Sequence, residues 1–152
     1  MRVSQLYADF VVLPDVLSES DILQGCIGDC YFVTCLAALA SKPERIRKLF
    51  KTQVPQADGR YVMTLCVNGS WEEVVVDDYL PVLPGANKPR FATAKTQDGR
   101  GVAWVSLIEK AWAKLCGNYD RIATGSVDMG FIHLCGVPSI GLKHCYFGES
   151  KE

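Results

Sequence analysis

The stretch with the clearest chemical potential covers residues 24–40 and reads QGCIGDCYFVTCLAALA. Its first half is a turn punctuated by Gly25 and Gly28, and its second half is apolar, as a buried helix would be. Asp29 is a residue type that caps helices, so Cys30 is predicted to lie in the first helical turn. The free N–H groups and the helix dipole there favour a thiolate, which makes Cys30 a candidate nucleophile.

A side-chain amide stands six residues before this thiol, at Gln24. A thiol at a helix start with an amide donor beside it is the arrangement expected for a nucleophile with an oxyanion hole. The glycines between them allow the backbone to approach a ligand closely. The alternative is a buried helix that happens to contain cysteines, because cysteine is among the most buried residue types.

The elements that position this run are predicted to be helices and one hairpin. A central helix from Cys30 is followed by a short helix over residues 43–51, for which Ser41 reads as the N-cap. Strands within residues 60–78 flank an Asn-Gly dipeptide, the strongest short hairpin signal. A long helix over residues 102–116 has one apolar stripe, with Glu109 off it, and another short helix covers residues 127–135. The fold class predicted is α+β.

Length and composition limit the class of protein. The chain has 152 residues, enough for one domain, with 49% apolar and 22% charged residues. The net charge is −1 and no basic run is present, so nucleic-acid binding has no electrostatic support. No secretory signal and no apolar run of about 20 residues is evident, so we expect no membrane span. Seven cysteines in a chain with no evident secretory signal indicate reduced thiols and a cytoplasmic location.

Three further groups of residues could bind a metal or transfer protons. The polar loop over residues 13–23 has carboxylate and hydroxyl side chains that could bind a hard cation such as calcium, but a solvated loop with Asp21 capping the next turn is the favoured interpretation. The pair Asp77-Asp78 at a strand end is expected to cap a turn rather than to act in catalysis. The cysteines at 26, 30 and 35 have a poor spacing for zinc, which disfavours a metal or thiol redox protein.

Three motifs resemble the calpain family of cysteine endopeptidases, and they occur in that family's order. The run QGCIGDCYF resembles the family's active-site stretch QGxxGDCWF, and VVVDDYLP is similar to its VVVDDxLP. The segment WVSLIEKAWAKLCGNYD resembles its W-x-x-L-x-E-K-A-Y-A-K-L-x-G-x-Y-E segment. The resemblance spans about residues 21–125, and a weaker similarity reaches about residue 136.

The resemblance implies a fold, a reaction and roles for four residues. The fold would be that of a papain-like cysteine protease, whose helical first lobe carries a small antiparallel sheet. The reaction would be limited proteolysis of protein or peptide substrates. Cys30 would be the nucleophile, Gln24 an oxyanion-hole donor, Gly125 a backbone site that holds extended substrate, and Asp21 a calcium ligand.

Several residues depart from the family pattern. Tyr31 replaces the tryptophan after the nucleophile and keeps an aromatic ring at the cleft wall. Val102 stands where calcium-dependent members have a glutamate ligand, and Glu19 stands where they have an arginine that links calcium to domain closure. Both changes argue against calcium dependence. The family's Thr-Gly-Gly is represented by residues 135–137, Cys-Gly-Val.

The family's histidine and asparagine motifs, of the type HAYS and NPWG, do not occur in this sequence. The histidines present are His133, expected to be a packing or surface residue, and His144, which lies in the tail. We therefore predict a first lobe over residues 1–140 and a tail over residues 141–152, with the chain a fragment whose partner is a second lobe. A calpain-like module that binds peptides or partners without cutting them is the alternative.

Overall fold

The computed structural model describes residues 1–139. The tail predicted for residues 141–152, including His144, lies outside the described residues. The helices are α1 (Val3–Leu6), α2 (Cys30–Ala40), α3 (Pro43–Leu49), α4 (Trp104–Cys116) and α5 (Val127–Cys135). The strands are β1 (Phe10–Val11), β2 (Ile22–Leu23), β3 (Arg60–Val67), β4 (Ser70–Asp77), β5 (Thr93–Ala94) and β6 (Gly101–Val102). Mixed helices and small sheets confirm the predicted α+β class.

The longest strands form the hairpin that the Asn-Gly dipeptide predicts. Strands β3 and β4 pair antiparallel in a continuous register from Arg60 opposite Asp77 to Val67 opposite Ser70. Asn68 and Gly69 both have positive φ, of 50° and 83°. Two successive residues with positive φ are the requirement of a type I′ turn, whose twist matches that of the flanking strands.

The remaining strands pair over long sequence separations. Strand β2 pairs antiparallel with β5, and β1 pairs parallel with β6. These strands have two residues each. The second pairing explains why α4 begins at Trp104 and not at the predicted Val102, because Val102 is taken into β6 opposite Val11.

Side chains of α2 and α4 meet within the core. The ring of Trp112 stacks on that of Phe32 with 5.3 Å between centroids and an interplanar angle of 7°. The Trp112 Nε1–H also donates to the hydroxyl oxygen of Tyr31 at 3.0 Å. All three side chains are buried. Because Phe32 and Tyr31 lie in the first turn of α2, this packing fixes the start of the helix that bears Cys30.

Of two predicted caps, one differs from the structure and one is confirmed. The N-cap of α3 is Lys42, which makes no side-chain cap bond, and Ser41 donates its hydroxyl to the carbonyl oxygen of Ala38 at the end of α2. The prediction for Ser41 was therefore wrong by one residue. The prediction that the Asp77-Asp78 pair caps a turn is confirmed at Asp77, whose carboxylate accepts from the N–H of Tyr79 at 2.7 Å. Asp78 pairs with the Arg2 guanidinium at 2.9 Å.

Candidate active site

Cys30 is the first residue of α2, and its side chain is exposed. The prediction that this thiol lies in the first turn of a largely buried helix is confirmed. The helix is central because Phe32, Leu36 and Leu39 are buried against the rest of the core. The thiol thus stands on a rigid element and faces solvent at the positive end of the helix dipole.

Asp29 does not cap this helix with its side chain, contrary to the prediction. Its main-chain carbonyl accepts from the N–H groups of Phe32 and Val33, at 2.8 and 3.1 Å. Its φ and ψ, −94° and 27°, lie outside the extended region that N-cap residues adopt, and its carboxyl group is fully buried. The aspartate before the nucleophile is therefore an interior residue.

The Gln24 amide folds back over the turn that precedes α2. Its Nε2 donates to the main-chain oxygen of Ile27 at 2.8 Å and to Asp29 Oδ1 at 2.9 Å. Both partners are acceptors, so the amide nitrogen must face them. The structure thus links Gln24 to the residue directly before Cys30. Since both amide hydrogens are donated within the loop, Gln24 would have to exchange one of these bonds in order to stabilise an oxyanion.

The two turn glycines are required by contacts within the chain. A Cβ atom at Gly25 would lie 2.2 Å from the carbonyl carbon of Phe91, and one at Gly28 would lie 2.6 Å from the carbonyl oxygen of Ala123. Neither neighbour is a side chain that could rotate away. The close approach predicted for these glycines is therefore an approach to the protein's own backbone, which seats the turn against two other segments.

Gly125 lies directly against the aromatic ring that follows the nucleophile. A Cβ atom at position 125 would lie 2.4 Å from Cζ of Tyr31. That ring cannot move aside easily, because it is buried and its hydroxyl accepts a hydrogen bond from Trp112. The structure thus brings an exposed glycine backbone next to the first turn of α2.

His133 lies on α5 and is used in packing. Its Nδ1–H donates to the carbonyl oxygen of Cys66, which fixes the proton on that ring nitrogen. Its ring lies 4.6 Å from the Trp112 ring, tilted by 49°. This confirms the packing role predicted for His133. Within residues 1–139 no other histidine occurs.

A second buried acid beside the site was not anticipated from the sequence. Glu109, predicted to lie off the apolar stripe of α4, is 1% exposed. Its carboxyl oxygens accept from the N–H of Ala92 at 3.0 and 3.2 Å, and the group contacts the carboxyl of Asp29. Burial raises the pKa of Glu109 to about 9. The sequence did offer one indication of this burial, because Glu109 lies close to the apolar residues at 108 and 111 of the helix.

Comparison with known proteins decides the family. Residues 1–149 match the family described as calpain family cysteine protease. The chain belongs to the calpain family of cysteine proteases. It is 39% identical over 121 residues to the calpain-type cysteine protease DEK1 of Zea mays, covering 79% of this chain and 5% of that protein.

Animal calpains are similar over more of the chain. Identity to Calpain-10 of Mus musculus is 31% over 140 residues, which is 89% of this chain and 20% of that protein. Identity to Calpain-12 of Homo sapiens is 32% over 142 residues, which is 90% of this chain and 19% of that protein. The chain thus spans a fifth or less of the length of these relatives.

Asp21, the calcium ligand that the calpain resemblance implies, has two of its oxygens in hydrogen bonds within the chain. Asp21 Oδ2 accepts from the Gln97 amide at 3.0 Å, and its main-chain oxygen accepts from the N–H of Lys95 at 2.8 Å. Ser18 caps the short turn Glu19–Asp21, of which Asp21 is the last residue. Val102, at the position of a family ligand, is 2% exposed and apolar. Within residues 1–139 no group of three or more metal-binding side chains is found, whereas calcium takes 6–8 oxygens.

We therefore predict that the isolated chain has no micromolar calcium site. Isothermal titration calorimetry with CaCl₂ should give no saturable heat in that range, for the wild type and for Asp21→Asn alike. The two proteins are matched in shape and differ by one carboxylate charge. A saturable micromolar site that disappears in Asp21→Ala would contradict this prediction.

Proposed function

We propose that this chain is the nucleophile-bearing lobe of a papain-like, calpain-type cysteine endopeptidase that cleaves proteins at a limited number of sites. The lobe would occupy residues 1–140, with residues 141–152 as a tail. The observation that carries the proposal is the exposed thiol of Cys30 on the first residue of a buried helix, next to the residue that holds Gln24.

In the proposed reaction the Cys30 sulfur attacks the carbonyl carbon of the scissile peptide bond. A sulfur–carbon bond forms, and the carbonyl oxygen takes up the negative charge. Gln24 would donate to that oxygen by exchanging its bond to Ile27, which is the more exposed of its two bonds. The bond to Asp29 would keep the amide oriented meanwhile.

The proton balance requires a base that the described residues do not place beside Cys30. A histidine on a second lobe would accept the thiol proton and deliver it to the leaving amine when the carbon–nitrogen bond breaks. Gly125 would bind the extended substrate through its main chain, because Tyr31 leaves no room there for a side chain. The partners proposed are thus a protein substrate and a second lobe.

A cytoplasmic location is part of the proposal. The described cysteines are all unpaired, and they include the exposed thiols of Cys26 and Cys30. Free thiols of this kind persist where the compartment is reducing. Among residues 1–139, no helix has the length and apolarity needed to cross a bilayer.

The nucleophile assignment is tested by comparing two thiols within one loop. Cys26 and Cys30 are both exposed, but Cys30 alone begins a helix. Helix-terminal stabilisation of an anion, typically 0.3–1 kcal/mol, predicts about two- to fivefold faster alkylation at Cys30. Limited iodoacetamide treatment followed by peptide mass spectrometry would give both rates from one sample.

The matched control is Cys26→Ser, which should leave the rate at Cys30 unchanged. Heating or denaturant should abolish the difference between the two thiols, because the difference depends on the folded helix. Equal rates in the native chain, or faster labelling of Cys26, would remove the physical support for Cys30 as the activated thiol.

A further inference from the structure

Two carboxyl groups meet in the interior directly behind the candidate nucleophile. Asp29 is 0% exposed and Glu109 is 1% exposed, and their carboxyl groups lie in hydrogen-bonding contact. Neither group forms an ion pair within the described part of the chain. Two ionised carboxylates cannot share such a site without a cation, because like charges at contact distance in a low dielectric repel strongly.

The hydrogen-bond partners indicate that the pair holds a proton. Asp29 Oδ1 accepts from Gln24 Nε2, whereas Asp29 Oδ2 has no N–H donor among the described residues. The Glu109 oxygens receive only the main-chain N–H of Ala92. One proton on Glu109 supplies the donor that Asp29 Oδ2 lacks, and it removes one of the two buried charges.

We propose that Glu109 is a positioning residue, which as a neutral carboxylic acid donates to Asp29 and thereby fixes the Gln24 amide within the loop that precedes Cys30. The chain of contacts runs from α4 through Glu109 to Asp29 and on to Gln24. The acid itself is held by Ala92, whose carbonyl oxygen accepts from Ser106 at 2.7 Å. The consequence for catalysis rests on the proposed function of Gln24, but the hydrogen-bonded pair itself does not.

The electrostatic surroundings support a proton on Glu109. Burial is the main cause of its raised pKa, the bond from the Ala92 N–H partly offsets that rise, and the Asp29 charge adds to it. Tyr119 also faces it, and the pKa of this phenol is raised by burial and by the Glu109 charge, so that it stays neutral. Burial also raises the pKa of Asp29, while its bonds to Glu109 and Gln24 favour its ionised form.

The pH dependence of folding follows from this assignment. A glutamate has an ordinary pKa near 4.5, and in the folded chain the Glu109 value is about 9. Between these values the folded state binds the additional proton, so stability from this group is complete below pH 4.5 and is lost as pH rises towards 9. Glu109→Gln keeps a donor for Asp29 and an acceptor for Ala92, and it should remove this slope.

The direct test is carbon-13 NMR of the full chain labelled in glutamate side-chain carboxyls, with Glu109→Gln used to assign the resonance. Glu109 should titrate several pH units above the exposed glutamates. The positioning role is tested by measuring hydrogen exchange of the Gln24 side-chain amide. Glu109→Gln should leave it protected, whereas Glu109→Ala should speed its exchange on the order of tenfold or more, as expected for a lost hydrogen bond to a charged group.

A Glu109 carboxyl that titrates with the exposed glutamates would overturn the proposal, and this measurement needs only the wild-type fold. A folded Glu109→Ala protein with unchanged Gln24 exchange would overturn the positioning role. If Glu109→Ala does not fold, the test is hydrogen exchange of the Gln24 side-chain amide in Glu109→Gln. Loss of protection of that amide in Glu109→Gln would overturn the proposal. None of these readouts depends on peptidase activity, so failure of the proposed function would be seen separately.

Discussion

The isolated 152-residue chain should cleave casein or a peptide only at the background rate. We expect a rate about 10⁴–10⁶ below that of a complete cysteine protease site, by analogy with removal of triad members from serine proteases. The physical reason is that Cys30 has no base beside it among the described residues, because His133 is bonded to Cys66 and packed on Trp112. Without a base, the thiol proton is not removed and the leaving amine is not protonated.

The measurement is a fluorogenic peptide assay on the purified chain, repeated after addition of a separately expressed histidine- and asparagine-bearing lobe from a calpain relative. Activity should appear only in the mixture, and Cys30→Ala should abolish it. The matched control is Cys26→Ala, which removes an exposed thiol from the same loop and should retain activity. Turnover by the pure chain that is lost in Cys30→Ala would contradict the prediction, and His133 or His144 would then be the base to test.

The helices and the hairpin were predictable because their signals are local. The apolar stripe of α4, the Asn68-Gly69 turn and the small residues of α2 each depend on neighbours within a few positions. Helix α5 has the predicted bounds, Val127–Cys135. The two-residue strands could not be found in this way, since each is defined by a partner about 70 to 90 residues distant and not by its own pattern.

The site shows the same division between local and distant causes. The position of Cys30 at a helix start follows from the glycine-bearing turn and the apolar run after it. The interior position of Asp29 does not follow from local features, because the sequence alone cannot show that Glu109 from another helix contacts it. Asp29 fits the pattern of an N-cap, but the contact with Glu109 and Gln24 draws its carboxyl into the core instead.

Replacement of Trp112 by alanine should be the most destabilising single change near the site. Removal of a buried tryptophan typically costs about 3–5 kcal/mol of unfolding free energy. Here the indole stacks on Phe32, contacts His133 and donates to Tyr31, so it joins α4 to both α2 and α5. Urea denaturation followed by circular dichroism should show a lower midpoint with a similar slope.

A double-mutant cycle separates the hydrogen bond from the packing. Tyr31→Phe leaves the buried Trp112 Nε1–H without its acceptor and should cost about 1–3 kcal/mol. The same change made in Trp112→Ala should cost clearly less, because no donor is then left unpaired. Equal costs of Tyr31→Phe in both backgrounds would show that the hydroxyl does not act through the indole. A loss of unfolding free energy below about 1 kcal/mol in Trp112→Ala would mean that α2 is held mainly by other contacts. The fixed position of the helix start that bears Cys30 would then need another explanation.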